Sequence, residues 1–294
     1  MEQKTTTDFA GLVPGIEYDF PEENWVEFKS IDGTRLQTYR HSVENPKAVA
    51  VLFHGLGDYS NLLAYFAHKI ASKQVVVLAF DQKGFGKSEG KRYEIKNFQS
   101  VLRDSINYVN LVASHYPNLK VFLGGNSMGG AIATYLSVSV SVNVEGLMLL
   151  CPAFSEFPAV SWFRRKFLGV VKAIRPNMVL GGPRSECKNP HGNPYYEIEP
   201  FVKDFAITTR TTHSLIKGLK YMRSHLDLVK SPFVIVLGSR DKVIDVGLVK
   251  KFHSETKVED KTLLLYEDIA HSLLAENEAE EYFKKVSDWV SERI

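Results

Sequence analysis

Residues 121–131 read VFLGGNSMGGA, a stretch that predicts a β-strand, a sharp turn and a helix in direct succession. The apolar strand pattern leads into Ser127, and a run of small residues follows it with no polar loop between them. Gly125, Ser127 and Gly129 fill the frame G-x-S-x-G, in which the turn is too tight for side chains two residues before and two after the serine. This predicts a serine hydroxyl held at the carboxyl edge of a sheet. An ordinary glycine-rich turn fits the same residues, so the rest of the chain has to separate the two interpretations.

Two backbone N–H groups near this serine are predicted to stabilise negative charge on a reacting group. The N–H of Met128 lies at the positive end of the predicted helix. The segment HGLG, residues 54–57, follows an apolar run and brings the N–H of Leu56 toward the serine. His54 in this segment is interpreted as a residue that shapes the loop. We therefore predict an oxyanion hole formed by Leu56 and Met128.

Apolar runs recur along the chain at spacings that fit the strands of a parallel sheet. They do not alternate with polar residues, as expected for strands covered on both faces by helices. Before them, WVEFKS and LQTYRH flank Asp32-Gly33, which predicts an antiparallel hairpin. The predicted fold class is therefore α/β, with a mostly parallel, doubly wound sheet. The runs are AVAVLF (48–53), VVVLAF (75–80), VFLGG (121–125), GLMLL (146–150), FVIVLG (233–238) and TLLLY (262–266).

The regular alternation of strands and helices stops between about Phe154 and Leu226, where no strand-like run occurs. A stretch of this length exceeds what a crossover needs, so we interpret it as an inserted cap. The predicted organisation is a core in two parts, residues 1–153 and 227–294, with a helical cap at residues 154–226.

One helix of this cap carries apolar side chains on a single face, bounded by Pro158 near its start and Pro176 after its end. Basic residues and Trp162 surround the remaining surface. A helix with this layout can lie in a lipid surface, with its apolar face among acyl chains and its cations near phosphates. Packing of the helix on its own domain is the alternative, with equal weight. The apolar face comprises Phe157, Val160, Phe163, Phe167, Val170, Val171 and Ile174.

A serine nucleophile needs a base within hydrogen-bond reach and an acid that fixes the tautomer of that base. Asp241 follows the run FVIVLG and His271 follows the run TLLLY, so both are expected on loops at the same sheet edge as Ser127. The order Ser, Asp, His along the chain fits this arrangement. Asp245 is an alternative for the acid, whereas Asp268 lies too close to His271 in sequence to be favoured. We predict that Ser127, Asp241 and His271 are the catalytic residues.

The composition excludes several classes of protein. With 36 Lys and Arg against 34 Asp and Glu, the net charge of +2 offers no electrostatic case for a nucleic-acid partner. Two cysteines, Cys151 and Cys187, and the lack of an N-x-S/T acceptor favour a reducing interior. The N-terminus lacks a secretory signal pattern, and no apolar window fits a membrane span. We therefore expect a cytoplasmic protein without a transmembrane helix.

The segment DQKGFGKSEG, residues 81–90, imitates the end of a phosphate-binding loop but fails its spacing. The phosphate-loop frame requires glycine where Asp81 stands, and the dinucleotide frame requires glycine where Glu89 stands. The histidines and cysteines form no zinc spacing. We expect neither a cofactor nor a metal.

These motifs resemble those of the monoacylglycerol lipase and lysophospholipase branch of the α/β-hydrolases, also called the serine aminopeptidase S33 or hydrolase-4 group. The resemblance spans nearly the whole chain and rests on HGLG, DQKGFGKSEG, YPNLKVFLGGNSMGGAIA, GSRD and DKTLLLYEDIAH. It implies Ser127 as nucleophile, Asp241 as acid and His271 as base, with Leu56 and Met128 as oxyanion donors. It also implies an apolar cap that lines an acyl tunnel.

The chain departs from the family pattern at two places. Family members often carry histidine before the serine, where this chain has Asn126, and Glu-His after the oxyanion loop, where it has Asp58-Tyr59. Neither departure touches the three predicted catalytic residues. Both concern the end of the pocket where the head group of a substrate is expected.

The function implied is a serine hydrolase that cleaves the ester bond of a lipid monoester, with monoacylglycerol as the favoured substrate. The alternatives are a lysophospholipase, or another carboxylesterase or acyltransferase with the same triad, and, outside enzymes, a catalytically silent ligand receptor. Phe157, Phe163 and Phe167 of the cap are expected to bind the acyl chain. The expected partners are a lipid ester and a membrane surface contacted peripherally through the cap helix; the sequence leaves the oligomeric state open.

Overall fold

The computed structural model describes residues 19–155, 162–181, 199–271, 273 and 278–294, with the backbone alone for residues 162–167. Most of the strands within these ranges belong to one large sheet. In chain order the described strands are β1 (Glu22–Glu23), β2 (Phe28–Lys29), β3 (Arg35–Leu36), β4 (Thr38–His41), β5 (Ala48–Phe53), β6 (Val75–Phe80), β7 (Lys120–Asn126), β8 (Val144–Leu150), β9 (Val179–Gly181), β10 (Ile207–Thr208), β11 (Phe233–Gly238) and β12 (Lys261–Tyr266).

The large sheet has eight strands in the order β1-β4-β6-β5-β7-β8-β11-β12. The six strands from β6 to β12 in this order run parallel, and β4 and β1 extend one edge in the antiparallel direction. Every residue of β5 and β6 is buried, and because successive side chains point to opposite faces, both faces of the sheet are covered there. The predicted α/β fold with a mostly parallel, doubly wound sheet is confirmed.

Helices fill the connections between the parallel strands and cover the sheet. The longest of them begins at Phe98, where the Asn97 side chain accepts a hydrogen bond from the Gln99 N–H, and ends at His115. No helix among the described residues combines the length and the hydropathy needed to cross a lipid bilayer. The described α-helices are α1 (Ala64–Ala71), α2 (Phe98–His115), α3 (Met128–Leu136), α4 (Trp162–Ile174), α5 (Thr209–Arg223), α6 (Val246–Glu255) and α7 (Ala279–Ser291).

The structure differs from the sequence prediction in two strand regions. The hairpin around Asp32-Gly33 exists as β2 and β3, but each strand has only two residues, and the chain then leaves as β4 to pair with β6. No strand is predicted for the cap, yet β9 pairs with β10 there in a separate antiparallel ribbon. Strands this short give too few residues for a periodic pattern.

The predicted apolar face of the cap helix is not uniformly covered. Residues 156–161 lie outside the described residues, and the described part of the helix, α4, begins at Trp162. Val171 of this face is partly buried, whereas Val170 is 57% exposed and Ile174 is 74% exposed. One of the two predicted alternatives was that the whole face packs on its own domain. Val170 and Ile174 do not fit this alternative, because both side chains are exposed.

Helix α5, within the segment predicted as a cap, is joined to the core by polar contacts. The Thr211 hydroxyl donates to the Tyr93 carbonyl at 3.0 Å and accepts from the Ile95 N–H at 3.1 Å. Arg210 forms an ion pair with the buried carboxylate of Glu94 at 3.3 Å. These contacts hold α5 against residues 93–95, in the loop between β6 and α2.

Candidate active site

Ser127 occupies a sharp turn between β7 and α3, with φ 53° and ψ −114°. Non-glycine residues rarely adopt a positive φ, so the serine is held in a strained conformation. The turn depends on a close approach of backbones, because a Cβ atom on Gly129 would lie 1.9 Å from the carbonyl oxygen of Phe53. Glycine at this position lets the start of α3 touch the end of β5.

The loop after β5 is held by a buried histidine. His54 Nδ1 donates to the Gly55 carbonyl at 2.8 Å, and its Nε2 accepts from the Gln82 N–H at 2.9 Å. Burial lowers the pKa of His54 below its usual value, which keeps the ring neutral and so able to accept at one nitrogen. The histidine fixes the backbone immediately before Leu56.

Leu56, Met128 and Ser127 line one narrow slot, whose cavity volume is about 20 Å³. Met128 is the first residue of α3, where helix N–H groups have no intrahelical partner. The two predicted oxyanion residues are therefore brought to the same place as the predicted nucleophile. The remaining lining residues are Ala153, Ser155, Leu215, Leu219, Val243 and Ile244.

Asp241 and His271 are in direct contact. His271 Nδ1 lies 2.6 Å from Asp241 Oδ2, and the other carboxylate oxygen accepts from the N–H groups of Val243 and Ile244 at 2.8 and 3.1 Å. The loops that contain Asp241 and His271 approach each other closely at Gly238. A Cβ at this position would lie 2.3 Å from the Ile269 carbonyl oxygen, so the approach requires glycine. The contact orients the imidazole so that Nδ1 carries the proton and donates a hydrogen bond to the carboxylate. The other ring nitrogen, Nε2, is turned away from the carboxylate.

The electrostatic surroundings of His271 favour its protonated form. Burial alone lowers the pKa of His271, but the hydrogen bond with Asp241 and the charge of that carboxylate outweigh it and raise that pKa above 6.5. Burial also raises the pKa of the Cys151 thiol, so this thiol keeps its proton. The negative charge that stabilises the imidazolium is therefore that of Asp241.

Ser127 lies at the same sheet edge as this pair, but no hydrogen bond between Ser127 Oγ and the imidazole occurs within the described residues. The serine is fixed through its backbone: its N–H donates to the Leu150 carbonyl at 2.9 Å, and its carbonyl accepts from the Ala153 N–H at 3.0 Å. In enzymes without substrate, catalytic hydrogen bonds are often long and tighten on binding. The structure thus joins Asp241 to His271 directly and places Ser127 on a neighbouring loop.

The two departures from the family pattern meet each other. Asn126 Nδ2 lies 3.5 Å from Asp58 Oδ2, and both residues are buried. The Cys151 thiol donates to Asn126 Oδ1 at 3.2 Å and lies 3.4 Å from the His271 carbonyl oxygen. None of Asp58, Asn126 and Cys151 lines the slot. Beneath the site, these side chains connect the loop after β5, the end of β7 and the loop after β12 that contains His271.

Cys151, Asp241 and His271 also form the one group of potential metal ligands among the described residues, with ligand atoms within 4.8 Å of one another. Their donor and acceptor capacity is already used. Both Asp241 oxygens accept hydrogen bonds, and the Cys151 thiol is protonated and directed at oxygen acceptors. The trio is therefore built as a hydrogen-bonded cluster and does not fit a metal site.

Several residues of the slot are absent from the sequence prediction. Leu215 and Leu219 come from α5, and Ser155 and Ile244 come from loops that follow β8 and β11. Ser155 and Ile244 follow parallel strands of the sheet, so the rule that site residues follow such strands could have identified them from the sequence. Phe157 lies outside the described residues, and the side chains of Phe163 and Phe167 do as well.

The comparison with known proteins agrees with this geometry. A family profile described as Hydrolase_4, serine aminopeptidase, S33, matches residues 44–278. The chain belongs to this family. The Hydrolase_4 resemblance predicted from the motifs is therefore confirmed.

The chain is similar to monoglyceride lipases over most of its length. The Mus musculus monoglyceride lipase is 28% identical over 254 residues, which cover 85% of this chain and 84% of that protein. The Homo sapiens monoglyceride lipase is 28% identical over 253 residues, covering 84% of each. The solved structure of Paleococcus ferrophilus monoacylglycerol lipase matches with a TM-score of 0.74 and 23% identity over 87% of this chain and 99% of that chain, which supports the fold.

We expect Asp241→Asn to lower kcat by about 10⁴-fold with an intact fold, because the amide removes the charge that stabilises the imidazolium and can hold the wrong tautomer. Hydrolysis of a p-nitrophenyl ester and circular dichroism measure the two effects. Asp245→Asn is the matched control: exposed Asp245 caps α6 through the Leu248 N–H, a role that asparagine fills equally well. An equal loss in the control would contradict the assignment of Asp241.

The raised pKa of His271 predicts the pH dependence of hydrolysis. His271 must be neutral to accept a proton, so kcat/KM should rise with pH through a pKa above 6.5. The measurement is kcat/KM for a neutral ester from pH 5 to 9. His253→Gln is the control, because it removes a histidine at the end of α6 whose pKa is lowered by burial. This variant should show the same rise of kcat/KM with pH, the acidic limb of the profile. A limb at or below pH 6.5 in the wild type would argue against the Asp241–His271 interaction as the cause.

Proposed function

We propose that this protein hydrolyses monoacylglycerol to a fatty acid and glycerol through Ser127, His271 and Asp241. The observation that carries the proposal is the 2.6 Å Asp241–His271 contact beside a strained serine, in a chain that is 28% identical to a monoglyceride lipase. The contact supplies an oriented base, and the turn supplies an accessible hydroxyl. Together they are the parts that acyl transfer to serine requires.

The reaction starts when the Ser127 oxygen attacks the ester carbonyl and His271 Nε2 takes the hydroxyl proton. The N–H groups of Leu56 and Met128 stabilise the oxyanion, while Asp241 stabilises the imidazolium. His271 then returns the proton to the leaving glycerol oxygen, which leaves an acyl-serine. Water activated by His271 attacks this ester, releases the fatty acid and restores the Ser127 hydroxyl.

Apolar walls suit the slot to a fatty acyl ester. Leu215, Leu219 and Ile244 are each at least 96% buried and face the space beside Ser127. A cavity of about 20 Å³ holds no acyl chain, so substrate binding requires the slot to widen. We place the acyl tunnel between the core and a cap at residues 154–226, with Phe157, Phe163 and Phe167 along it.

We also propose that the cap rests on a membrane surface. Val170 and Ile174, one turn apart on α4, are exposed, and Val179 and Leu180 of β9 are 56% and 45% exposed. Together with Met178 these four residues form the cap patch. Lys172 and Arg175 lie in the same segment, where their charges can reach lipid phosphates. We assign the protein to the cytoplasm, where the buried free thiol of Cys151 stays reduced.

The wild-type protein should release glycerol from monolauroylglycerol, and Ser127→Ala should reduce this to background. Lysophosphatidylcholine and dilauroylglycerol should be poorer substrates. Monoacetylglycerol should be poorer still, because its acyl group lacks the methylenes that each contribute about 0.8 kcal/mol when buried. The measurement is the initial rate of free fatty acid release at matched concentrations. Labelling by a fluorophosphonate in the wild type and its loss in Ser127→Ala identify the nucleophile.

A wild type that reacts with fluorophosphonate yet prefers lysophosphatidylcholine would be a hydrolase with another leaving group. Absence of labelling would contradict the enzyme itself and favour a silent receptor. Equal rates on acetyl and lauroyl esters would contradict the acyl tunnel.

Val170→Ser combined with Ile174→Ser should weaken binding to phosphatidylcholine–phosphatidylserine vesicles at least about tenfold, because two apolar side chains no longer enter the lipid surface. Co-sedimentation measures the binding, and a soluble short-chain ester checks that catalysis is unchanged. Leu228→Ser, at a residue 56% exposed outside the cap patch, is the matched control. Unchanged vesicle binding in the double variant would contradict the membrane role.

A further inference from the structure

Ser155 lies beside the nucleophile on the loop that follows β8. This loop is held against the sharp turn that contains Ser127, because the Ala153 N–H donates to the Ser127 carbonyl at 3.0 Å. Phe154 is buried and packs its ring against that of Phe252, with centroids 5.0 Å apart. Both contacts hold the backbone on which Ser155 enters the lining of the slot.

The Ser155 hydroxyl is buried without a hydrogen-bond partner. The residue is 9% exposed, and its Oγ has no partner in the part of the chain that the structure describes. A buried polar group left unpaired costs about 1–3 kcal/mol, so such groups are few in folded proteins and require an explanation. An alanine at this position would avoid the cost without changing the packing much.

The lining of the slot indicates what the hydroxyl can bind. Besides Ser127, Ser155 carries the one polar side chain among the residues that line the slot in the described structure. The acyl carbonyl of an ester is already served by the N–H groups of Leu56 and Met128, and an acyl chain offers only methylene groups. The group of the substrate left for Ser155 is an oxygen of the leaving alcohol.

We propose that the Ser155 hydroxyl hydrogen-bonds a free hydroxyl of the glycerol leaving group and thereby selects monoacylglycerol over esters of simple alcohols. This inference rests on the proposed hydrolysis of monoacylglycerol by Ser127. The hydrogen bond forms when the substrate enters and satisfies a hydroxyl that is otherwise unpaired. A site that binds a substrate hydroxyl discriminates against an analogue that lacks it, because its own polar group is then left unpaired.

The test compares monolauroylglycerol with methyl laurate, which has the same acyl chain and no free hydroxyl. Ser155→Ala should lower kcat/KM for monolauroylglycerol about tenfold, the equivalent of one hydrogen bond, and change kcat/KM for methyl laurate less than twofold. Ser155→Thr retains the hydroxyl and should keep most of the preference for monolauroylglycerol. Ser214→Ala is the matched control, because Ser214 has an equally unpaired, buried hydroxyl on α5 and does not line the slot.

The outcomes separate this inference from the proposed function. If Ser155→Ala lowers kcat/KM equally for both esters, or for neither, the selective hydrogen bond is overturned while the hydrolase stands. A wild type that hydrolyses methyl laurate but not monolauroylglycerol overturns the proposed substrate and with it the role of Ser155. A wild type inactive on both esters overturns the proposed function as a whole. Selective loss with Ser155→Ala, absent in Ser214→Ala, supports the inference.

Discussion

The close approach of α3 to the end of β5 is the constraint on which the site depends. With a Cβ on Gly129 placed 1.9 Å from the Phe53 carbonyl oxygen, no other residue lets these backbones touch. Phe53 leads directly into the loop that contains Leu56, and Gly129 directly follows Met128, so one contact brings both predicted oxyanion donors together. The same turn holds Ser127 at a positive φ, a strain of about 1–3 kcal/mol. All nine residues of α3 are buried, and this packing offsets the strain.

Burial sets the second requirement, which is that a charge at the site must be fully hydrogen-bonded. The Asp241 side chain has no exposed surface, and an isolated carboxylate there would cost several kcal/mol. Two backbone N–H groups and the imidazole share its two oxygens, so the charge is oriented before any proton moves. Because the donors are already in place, a proton arriving on His271 meets a counter-charge that needs no rearrangement. The hydrogen bond from the Cys151 thiol to Asn126 beneath the site extends the same rule to neutral groups.

Local patterns in the sequence predict most of the fold and the residues of the candidate site, since each depends on only a few neighbouring residues. The apolar runs coincide with the parallel strands, and the rule that site residues follow such strands selects Ser127, Asp241 and His271 as candidates. The contact between Asn126 and Asp58 joins positions 68 residues apart and leaves no local pattern. Leu215 and Leu219 reach the slot because of how α5 rotates against the core, which amphipathic periodicity does not specify. Cys151 stands at the end of a parallel strand as Ser127 does, and the strand-end rule applied to every polar residue would have included it.

The helices α4 and α5 differ in how they contact the rest of the protein. Thr211 and Arg210 join α5 to the loop that follows β6, and Leu215 and Leu219 of the same helix line the slot beside Ser127. Exposed apolar surface is instead concentrated on α4 and β9, which pack on α5 or pair with β10 rather than covering the sheet. Within the described residues, the apolar side chains that line the slot and most of the exposed apolar side chains therefore lie on different elements.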